Sequence, residues 1–322
     1  MKTDWTRERL DIRRSDGDIR RRSNRVTGWG LLGALVLATT LGCTTTGISL
    51  PAVTDAPTGE HDTGRIVWRD LISDKPAESR RFYEELFGWE FEGVGNLFNL
   101  GGEDVYSLIR HNGRLIGGMV NENRLENEAE DISQWVVLMS VADVDAAAAT
   151  FAADGGEVLT PPTDVADRGR MAIVVDPQGA LLALVQTAEG DPARHEPGYG
   201  DFLWDELWTT DLAAATRFYT DMTGLEPNDV AVEADRTYRV LSRNDAPTLG
   251  MMAHPFDERR PVWVTYIRVE DPAAITARVE ELGGTVYLEA QDRPLGGQVA
   301  LIADPSGAGI ALQTWPFESA AD

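Results

Sequence analysis

Hydrophobic and polar residues alternate over positions 65–71, which is the pattern of a β-strand with two different faces. Trp68 and Asp70 share one face of this strand. Val67 and Arg69 fall on the other face, together with Leu71. The strand therefore presents a tryptophan and an acid side by side on a single surface.

A helix is predicted to follow this strand. Pro76 stands at its first turn, where a backbone N–H is not needed. Phe82, Leu86 and Phe87 then form one apolar side, and Gly88 ends the helix as glycine often does. Short strands are expected near 90–98, 104–110 and 114–121. Together these elements form one β-α-β-β-β unit.

A second unit with the same order of elements follows along the chain. Its first strand is predicted at 134–141 and its helix at 144–153, before the pair Gly155-Gly156. Its later strands are expected near 157, 170–175 and 180–186. The sequence DPQG, which starts at Asp176, suits the turn between the last two strands because proline favours its second position.

The whole pattern occurs twice. At a shift of 136 the matched pairs are Trp68/Trp204, Asp70/Glu206, Leu71/Leu207, Arg81/Arg217, Phe82/Phe218, Tyr83/Tyr219 and Gly88/Gly224. At a shift of 128 they are Trp135/Trp263, Asp143/Asp271, Gly155-Gly156 with Gly283-Gly284, and DPQGA with DPSGA. The chain is therefore an internal duplication. The segments are a signal at 1–42, a flexible linker at 43–63, domain 1 at 64–188, a linker at 189–198, domain 2 at 199–316 and a tail at 317–322.

The N-terminal segment has the features of an export signal. Residues 1–25 are rich in arginine, and residues 26–42 carry no charge. The sequence TLGC, which ends at Cys43, resembles a bacterial lipobox, and this implies that Cys43 is the lipidated first residue of the mature protein. An uncleaved membrane anchor is the alternative. Both interpretations predict a membrane-tethered, extracytoplasmic protein of the bacterial cell envelope.

The charge and the cysteine content exclude several classes of protein. The net charge is −24, and from Cys43 onward the chain has 20 basic and 48 acidic residues. Such a surface repels phosphate backbones, so nucleic-acid binding is not expected. A single cysteine forms no internal disulfide and no cysteine-rich zinc site.

The motifs resemble those of the vicinal oxygen chelate (VOC) superfamily, which contains glyoxalases, bleomycin-resistance proteins and extradiol dioxygenases. The resemblance rests on the paired β-α-β-β-β units, the FYxxxFGW helix, the DVDAA helix start and the DPxGA turns. It implies an α+β fold of two tandem domains, each with two such units in a curved mixed sheet around a concave cleft. It also implies that the two domains pair within one chain. It leaves function open, because this fold hosts several activities.

The resemblance also implies where metal ligands would lie on the inner face of each sheet. Those positions hold Trp68, Val136 and Ala183 in domain 1 and Trp204, Val264 and Ala311 in domain 2. The four histidines, His61, His111, His195 and His254, are interpreted as solvated loop residues. No cofactor is therefore predicted, although a divalent metal held by other ligands stays an alternative.

The inner faces keep aromatic and acidic residues that suit a planar or cationic organic ligand. The candidate ligand-binding residues are Trp68, Asp70, Tyr106, Met119 and Trp135 in domain 1, with Trp204, Glu206, Tyr238, Met251 and Trp263 in domain 2. A simpler interpretation is that these tryptophans fill a core and that the two acids bridge backbone groups. Asp70 and Glu206 are also the candidate catalytic bases.

The leading functional hypothesis is a tethered glyoxalase-like protein that binds a small organic molecule without metal, as bleomycin-resistance proteins do. Whether it is an enzyme stays open. One alternative is a lyase, isomerase or dioxygenase of the VOC type, either with metal or with Asp70 or Glu206 as base. The other is an envelope module that binds a partner protein.

Overall fold

The computed structural model describes residues 50–94, 105–125, 132–233, 236–256, 260–293 and 296–314. In domain 1 the strands are β1 Ile66–Ser73, β2 Glu90–Gly93, β3 Tyr106–His111, β4 Arg114–Asn121, β5 Gln134–Ser140, β6 Glu157–Val165, β7 Gly169–Val175 and β8 Leu181–Thr187, and the helices are α1 Pro76–Phe87 and α2 Val144–Ala153. In domain 2 the strands are β9 Phe202–Thr209, β10 Glu226–Glu233, β11 Arg236–Arg243, β12 Ala246–Ala253, β13 Val262–Arg268, β14 Thr285–Asp292, β15 Gln298–Ala303 and β16 Gly309–Gln313, and the helices are α3 Leu212–Thr223 and α4 Pro272–Val279.

Each domain contains one eight-stranded mixed sheet. The strand order is β2-β3-β4-β1-β5-β8-β7-β6 in domain 1 and β10-β11-β12-β9-β13-β16-β15-β14 in domain 2. The first strand of each unit runs parallel to its fourth, as β1 does with β4 and β5 with β8. The two units of domain 1 join through the antiparallel pair β1–β5, and those of domain 2 join through β9–β13. This is the predicted α+β architecture of paired β-α-β-β-β units.

The helices begin and end at the residues that the sequence pattern indicated. Pro76 lies in the first turn of α1, and Gly88 ends it with a left-handed φ of 70°. Asp211 and Asp271 cap α3 and α4 by accepting hydrogen bonds from backbone N–H groups in the first turn, and Asp143 caps α2 in the same way. An aspartate therefore fixes where α2, α3 and α4 start, whereas α1 starts at Pro76 without a side-chain cap.

A β-bulge sets which side chains of β1 and β9 face the cleft. Ile66 pairs with Met139 and Trp68 with Leu138, so Val67 is the extra residue in β1. In β9 the extra residue lies between Phe202 and Trp204 in the same way. The bulge reverses the alternation, so Ile66 and Trp68 lie in different hydrophobic clusters. The expectation that Val67 lies opposite Trp68 is wrong, because Val67 belongs to the same cluster as Trp68.

The two domains share their hydrophobic cores. One cluster joins the second unit of domain 1 to the first unit of domain 2, and Phe151 and Phe218 meet there with ring centroids 4.8 Å apart. The other joins the first unit of domain 1 to the second unit of domain 2, where Phe82 and Ile302 are both buried. The helix-bearing faces of the two sheets therefore pack back to back, and each concave face points outward.

The repeated FY and DPxG motifs meet across this interface. The Tyr219 hydroxyl of domain 2 donates a hydrogen bond of 3.1 Å to Asp176 of domain 1. Burial, together with the Asp176 carboxylate, raises the pKa of Tyr219 well above its ordinary value. Reciprocally, burial and the carboxylate of Asp304 raise the pKa of Tyr83. The FY motif of domain 2 therefore contacts the DPxG turn of domain 1, and this contact helps to hold the two domains together.

Arg69 and Asp205 form an ion pair at the centre of the interface. They occupy equivalent positions of the two repeats, with Arg in one copy and Asp in the other. Arg69 binds both carboxylate oxygens of Asp205, with 3.0 Å from Nε to Oδ1, and its guanidinium also lies 4.7 Å from the Phe202 ring centroid. Thr265 donates a further bond of 2.9 Å to Asp205. The pair is bidentate and mostly buried.

The described part of the predicted N-terminal linker is fixed to the predicted interdomain linker. The N–H of Thr58 donates to Asp191 O at 3.0 Å, and the N–H of Asp191 donates to Glu60 O at 2.8 Å. Pro57 and Pro192 form an isolated β-bridge. Residues 58–60 are therefore hydrogen-bonded to the interdomain linker, while residues 55–60 stay exposed.

The signal segment and Cys43 lie outside the described residues. Within the part that is described, no helix has the length and apolar character needed to cross a membrane.

We predict that reversing the charge of either member of the Arg69–Asp205 pair lowers the free energy of unfolding by about 3–5 kcal/mol, because two like charges are then buried together. The double variant Arg69→Asp/Asp205→Arg should recover most of this loss. Urea unfolding of the two single variants and the double variant measures the coupling.

The surface residue Arg170 provides the control. It pairs with Asp145 and Asp164, both of which are largely exposed. Arg170→Asp should therefore lower the stability much less than either substitution in the buried pair. The ion pair contributes nothing special to stability if Arg69→Asp loses no more free energy of unfolding than this control. The same holds if the loss in the double variant equals the sum of the losses in the two single variants.

Candidate functional site

A carboxylate lies at the centre of the concave face in domain 1. Asp70 is on β1, and its Oδ1 accepts hydrogen bonds from Trp68 Nε1 at 2.8 Å and from the Tyr106 hydroxyl at 2.7 Å. All three side chains are buried, Trp68 completely. Burial raises the pKa of Tyr106, so this phenol stays protonated at ordinary pH and donates to Asp70. The structure thus brings together the three residues predicted from the sequence.

Arg168 completes this group, and the sequence analysis missed it. It ends a 3₁₀ turn of residues Ala166–Arg168 directly before β7. Its Nη2 donates to the Tyr106 hydroxyl at 2.8 Å, and its Nη1 lies 3.3 Å from Asp70 Oδ2. The guanidinium also lies 4.9 Å from the Trp68 ring centroid, and the side chain is fully buried. Burial opposes its charge, but Tyr106 and Asp70 raise the pKa of Arg168 overall.

The chain itself covers this face of domain 1. Leu50 and Val53 are 5% and 3% exposed and pack in the same cluster as Trp68. Between them, Pro51 O accepts a hydrogen bond of 3.0 Å from Arg168 Nε. Both oxygens of Asp70 and all three nitrogens of the Arg168 guanidinium therefore have partners within the domain.

The concave face of domain 2 has a related but different arrangement. Glu206 is on β9, and its Oε1 accepts hydrogen bonds from Trp208 Nε1 and, at 3.0 Å, from the Tyr266 hydroxyl. Trp204 Nε1 donates to the Tyr238 hydroxyl at 2.7 Å. Trp204 is only partly buried, in contrast to its counterpart Trp68. Domain 2 therefore presents four aromatic side chains around one acid.

One oxygen of Glu206 has no hydrogen bond. Glu206 is 0% exposed, and no described residue lies within hydrogen-bond distance of its Oε2. The Tyr238 hydroxyl is nonetheless near enough that burial, together with the Glu206 carboxylate, raises the pKa of Tyr238. The nearby cation is Arg293, whose Nη2 lies 3.8 Å from Oε2, beyond hydrogen-bond distance. A buried acceptor without a partner costs about 1–3 kcal/mol, and more when it is charged. The face of domain 2 therefore contains an unused acceptor.

Arg168 and Arg293 come from the same connection in the two repeats but from different positions. At the shift of 128 that aligns the DPxGA turns, Arg168 matches Gly296, whereas Arg293 matches Val165. Arg293 donates through Nη1 to Gln313 and lies over the rings of Tyr238 and Tyr266. A search for repeated residues therefore could not find these arginines. The signal that existed was an arginine in the connection between β6 and β7 and another in the connection between β14 and β15.

Gly118 and Gly250 allow each tyrosine to lie flat over the strand beside the carboxylate. Gly118 pairs with Asp70 and Gly250 with Glu206 in the register of the sheet. A Cβ at Gly118 would overlap the hydroxyl of Tyr106, and a Cβ at Gly250 would overlap that of Tyr238. Both sites therefore depend on a glycine at this position.

Four of the predicted ligand-binding residues lie on the opposite side of the sheet. Met119 and Trp135 pack in the core between the domains, and Trp135 Nε1 donates to the Tyr83 hydroxyl at 2.9 Å. Met251 and Trp263 pack in the second shared core. Met119 follows Gly118 by one residue, so strand alternation turns its side chain away from the cleft. The expectation that these four residues line the inner face is wrong. Each lies on the opposite face of its strand, toward the other domain.

His111 is another correction, because it is buried and not a solvated loop residue. It ends β3 with 6% exposure, and its Nδ1 lies 2.7 Å from Asp201 of domain 2. Burial opposes ionisation of Asp201, but His111, the N–H of Gly198 and Arg114 together lower its pKa below the ordinary value. His111 therefore supports the interface between the domains and does not face a cleft.

The residues at the family's metal positions do not fit a divalent metal. Trp68, Val136 and Ala183 pack together in one cluster, and in domain 2 Val264 and Ala311 do the same, with Trp204 against them. The carboxylate on each face lies beside a guanidinium, which repels a divalent cation. Across the ranges that the structure describes, no cluster of three or more His, Cys, Asp or Glu residues could bind a metal ion.

The two curved sheets, their paired units and the central cleft define a VOC-type protein. The chain belongs to the Glyoxalase/Bleomycin resistance protein/Dioxygenase superfamily, whose family model matches residues 65–184 and again residues 202–312.

Relatives with curated names match over most of both chains. The protein CFP32 of Mycobacterium tuberculosis (strain CDC 1551 / Oshkosh), provisionally named a glyoxylase, is 32% identical over 249 residues, which are 77% of this chain and 94% of CFP32. The anthracycline biosynthesis protein DnrV of Streptomyces peucetius is 32% identical over 260 residues, with 77% of this chain and 92% of DnrV covered. The chain is a glyoxalase-like member of the superfamily.

Solved structures show the same fold. The Mn(II)-bound glyoxalase from Novosphingobium aromaticivorans matches with a TM-score of 0.53 and 16% identity, over 79% of this chain and 83% of that one. This likeness concerns the fold alone.

We predict that Gly118→Ala and Gly250→Ala each lower the free energy of unfolding by about 1–3 kcal/mol, because the added methyl group displaces a buried tyrosine. Urea unfolding measures this loss. Gly309→Ala is the matched control, because nothing lies within 4 Å of a Cβ at Gly309, and it should change stability by less than about 0.5 kcal/mol. Equal effects at all three positions would contradict the proposed role of the close approach.

Proposed function

We propose that this protein binds a small organic molecule on a concave sheet face without the help of a metal, and that it does so outside the cytoplasm while tethered to a membrane. The observation that carries the first part is Glu206, a fully buried carboxylate with one oxygen that has no hydrogen bond among the described residues. An N–H or O–H group of a ligand would satisfy that oxygen, and the surrounding aromatic rings would contact a planar ligand.

Two further observations support a small organic ligand. The family's metal positions hold apolar residues here. Two of these residues, Trp68 and Trp204, are aromatic and suit contact with an organic molecule. The relatives CFP32 and DnrV have names taken from small-molecule chemistry, a glyoxylase and an anthracycline biosynthesis protein.

A metal-free enzyme is the second candidate. The unbonded oxygen of Glu206 could accept a proton from a bound substrate, and Arg293 could stabilise the negative charge that results. Turnover that is lost in Glu206→Gln while ligand affinity is kept would favour this second function over binding alone.

The tether is proposed from the sequence. Arginine-rich residues 1–25, the uncharged stretch 26–42 and Cys43 together have the order of a lipoprotein signal. A diacylated cysteine would hold the domains at a membrane, since two acyl chains suffice for stable anchoring.

We predict that the purified full-length chain contains less than about 0.1 metal ion per domain by elemental analysis. Mn²⁺, Ni²⁺, Zn²⁺ and a chelator should each shift the melting temperature by less than about 1 °C, because none has a site that favours the folded state. A screen of aromatic compounds should instead yield shifts of about 5 °C or more for ligands at 100 times their Kd. Stoichiometric metal with stabilisation, or no compound that binds, would refute the proposal.

We predict that Cys43→Ala moves the protein from the membrane fraction to the soluble extracytoplasmic fraction if the signal is still cleaved, or leaves an uncleaved precursor if it is not. Incorporation of labelled palmitate should be lost in either case, because the acceptor thiol is gone. Labelling that is unchanged in the variant would contradict lipidation at Cys43.

A further inference from the structure

The two concave faces are not equivalent. The clearest difference is how deeply the equivalent tryptophans, Trp68 and Trp204, are buried. In domain 1, Trp68 is fully buried beneath Leu50 and Val53. In domain 2, Trp204 is partly exposed. Val299 and Leu288, which pack against the same cluster as Trp204, are also only partly buried. Among the described residues, part of the aromatic surface of domain 2 is therefore exposed, while the Glu206 carboxylate lies buried beneath it.

The connectivity of the chain explains this difference. Leu50 precedes β1 by sixteen residues, and the position that precedes β9 by the same number is Gln186. Gln186 belongs to β8, which is paired within the sheet of domain 1. Within the part of the chain that the structure describes, the segment equivalent to residues 50–53 is therefore held in the sheet of domain 1 and does not cover domain 2.

Hydrogen bonding differs in the same direction. Asp70 accepts bonds on both oxygens, from Trp68 and Tyr106 on one and from Arg168 on the other. Glu206 accepts bonds on Oε1 only, among the residues that are described. The face of domain 1 is thus complete without a ligand, whereas that of domain 2 is not.

Charge then limits what domain 2 can bind. Glu206 and Arg293 carry opposite charges, and their side chains are 0% and 10% exposed. A charged ligand placed between them would leave a net charge in a buried site, which is strongly unfavourable. A neutral ligand avoids this cost. The gap of 3.8 Å between Nη2 and Oε2 fits a group that donates to the acid and accepts from the arginine.

We propose that domain 2 alone holds the ligand site, with one ligand per chain, and that the ligand is a neutral planar molecule with a hydrogen-bond donor for Glu206 beside an acceptor for Arg293, as in an aromatic amide or lactam. Domain 1 is then a structural copy whose face is closed by its own N-terminal segment. This inference rests on the proposed binding function and narrows the earlier expectation of a planar or cationic ligand.

The test uses three probes with one ring system and three charges: 2-naphthamide, 2-naphthoate and 2-naphthylmethylammonium. Calorimetric titration of the full-length chain should show one 2-naphthamide per chain. Its Kd should be at least about 10-fold lower than that of either ion, because only the amide keeps the site neutral and bonds both side chains.

Two substitutions should change the preference for the neutral probe, one in favour of the anion and the other in favour of the cation. Glu206→Gln leaves Arg293 as the net charge, so the affinity for 2-naphthoate relative to 2-naphthamide should rise about 10-fold or more. Arg293→Gln leaves Glu206 as the net charge, so 2-naphthylmethylammonium should gain instead. A residue with only a structural role would weaken all three probes alike. Circular dichroism checks that each variant is folded.

Asp70→Asn is the matched control, since it neutralises the equivalent carboxylate of domain 1. It should change neither the stoichiometry nor the order of the three affinities. Two equivalents of 2-naphthamide per chain would overturn the inference and leave the proposed function in place, as would a loss of binding in Asp70→Asn but not in Glu206→Gln. Tightest binding of an ion, or no binding of any probe, would overturn the ligand class. The proposed function itself depends on the wider screen of aromatic compounds.

Discussion

The Arg69–Asp205 ion pair is the contact on which the arrangement of the two domains depends. Duplicated domains that pack back to back bring equivalent positions near one another, and two identical charges there would repel. This chain has opposite charges at the two equivalent positions, joined by bidentate bonds. The pair therefore favours contact between the first and second copies over contact between two identical copies.

The same asymmetry extends to the two clefts. The two domains differ at their interface, and they also differ on their concave faces. Arg168 and the segment that includes Leu50 and Val53 cover the face of domain 1, whereas Trp204 in domain 2 is partly exposed and no described residue bonds to one oxygen of Glu206. In both domains a guanidinium lies beside the acid, from Arg168 in domain 1 and from Arg293 in domain 2.

Much of the fold could be predicted from the sequence, because its signals are local. Pro76 and Gly88 mark the ends of α1, and the duplication shows each element twice. The central residues of the site were also predictable, since Trp68 and Asp70 lie two apart on one strand. Arg168 and Arg293 could not be found in this way, because they reach the same place from positions that do not align. Met119 and Trp135 were misplaced because one step of alternation exchanges the two faces of a sheet.

The bulges at Val67 and Leu203 have a consequence for how the chain tolerates change. Beyond the bulge, β9 presents Asp205 to the other domain and Glu206 to the cleft, so neighbouring residues serve opposite surfaces. Phe202 and Trp204 already pair with adjacent residues of β13, so a deletion of Leu203 would keep the register. A deletion of Asp205 would instead shift the register by one and move each side chain upstream of it to the opposite surface. The bulge is therefore the place where β9 can lose a residue, whereas a loss anywhere beyond it would exchange the side chains that face the other domain with those that face the cleft.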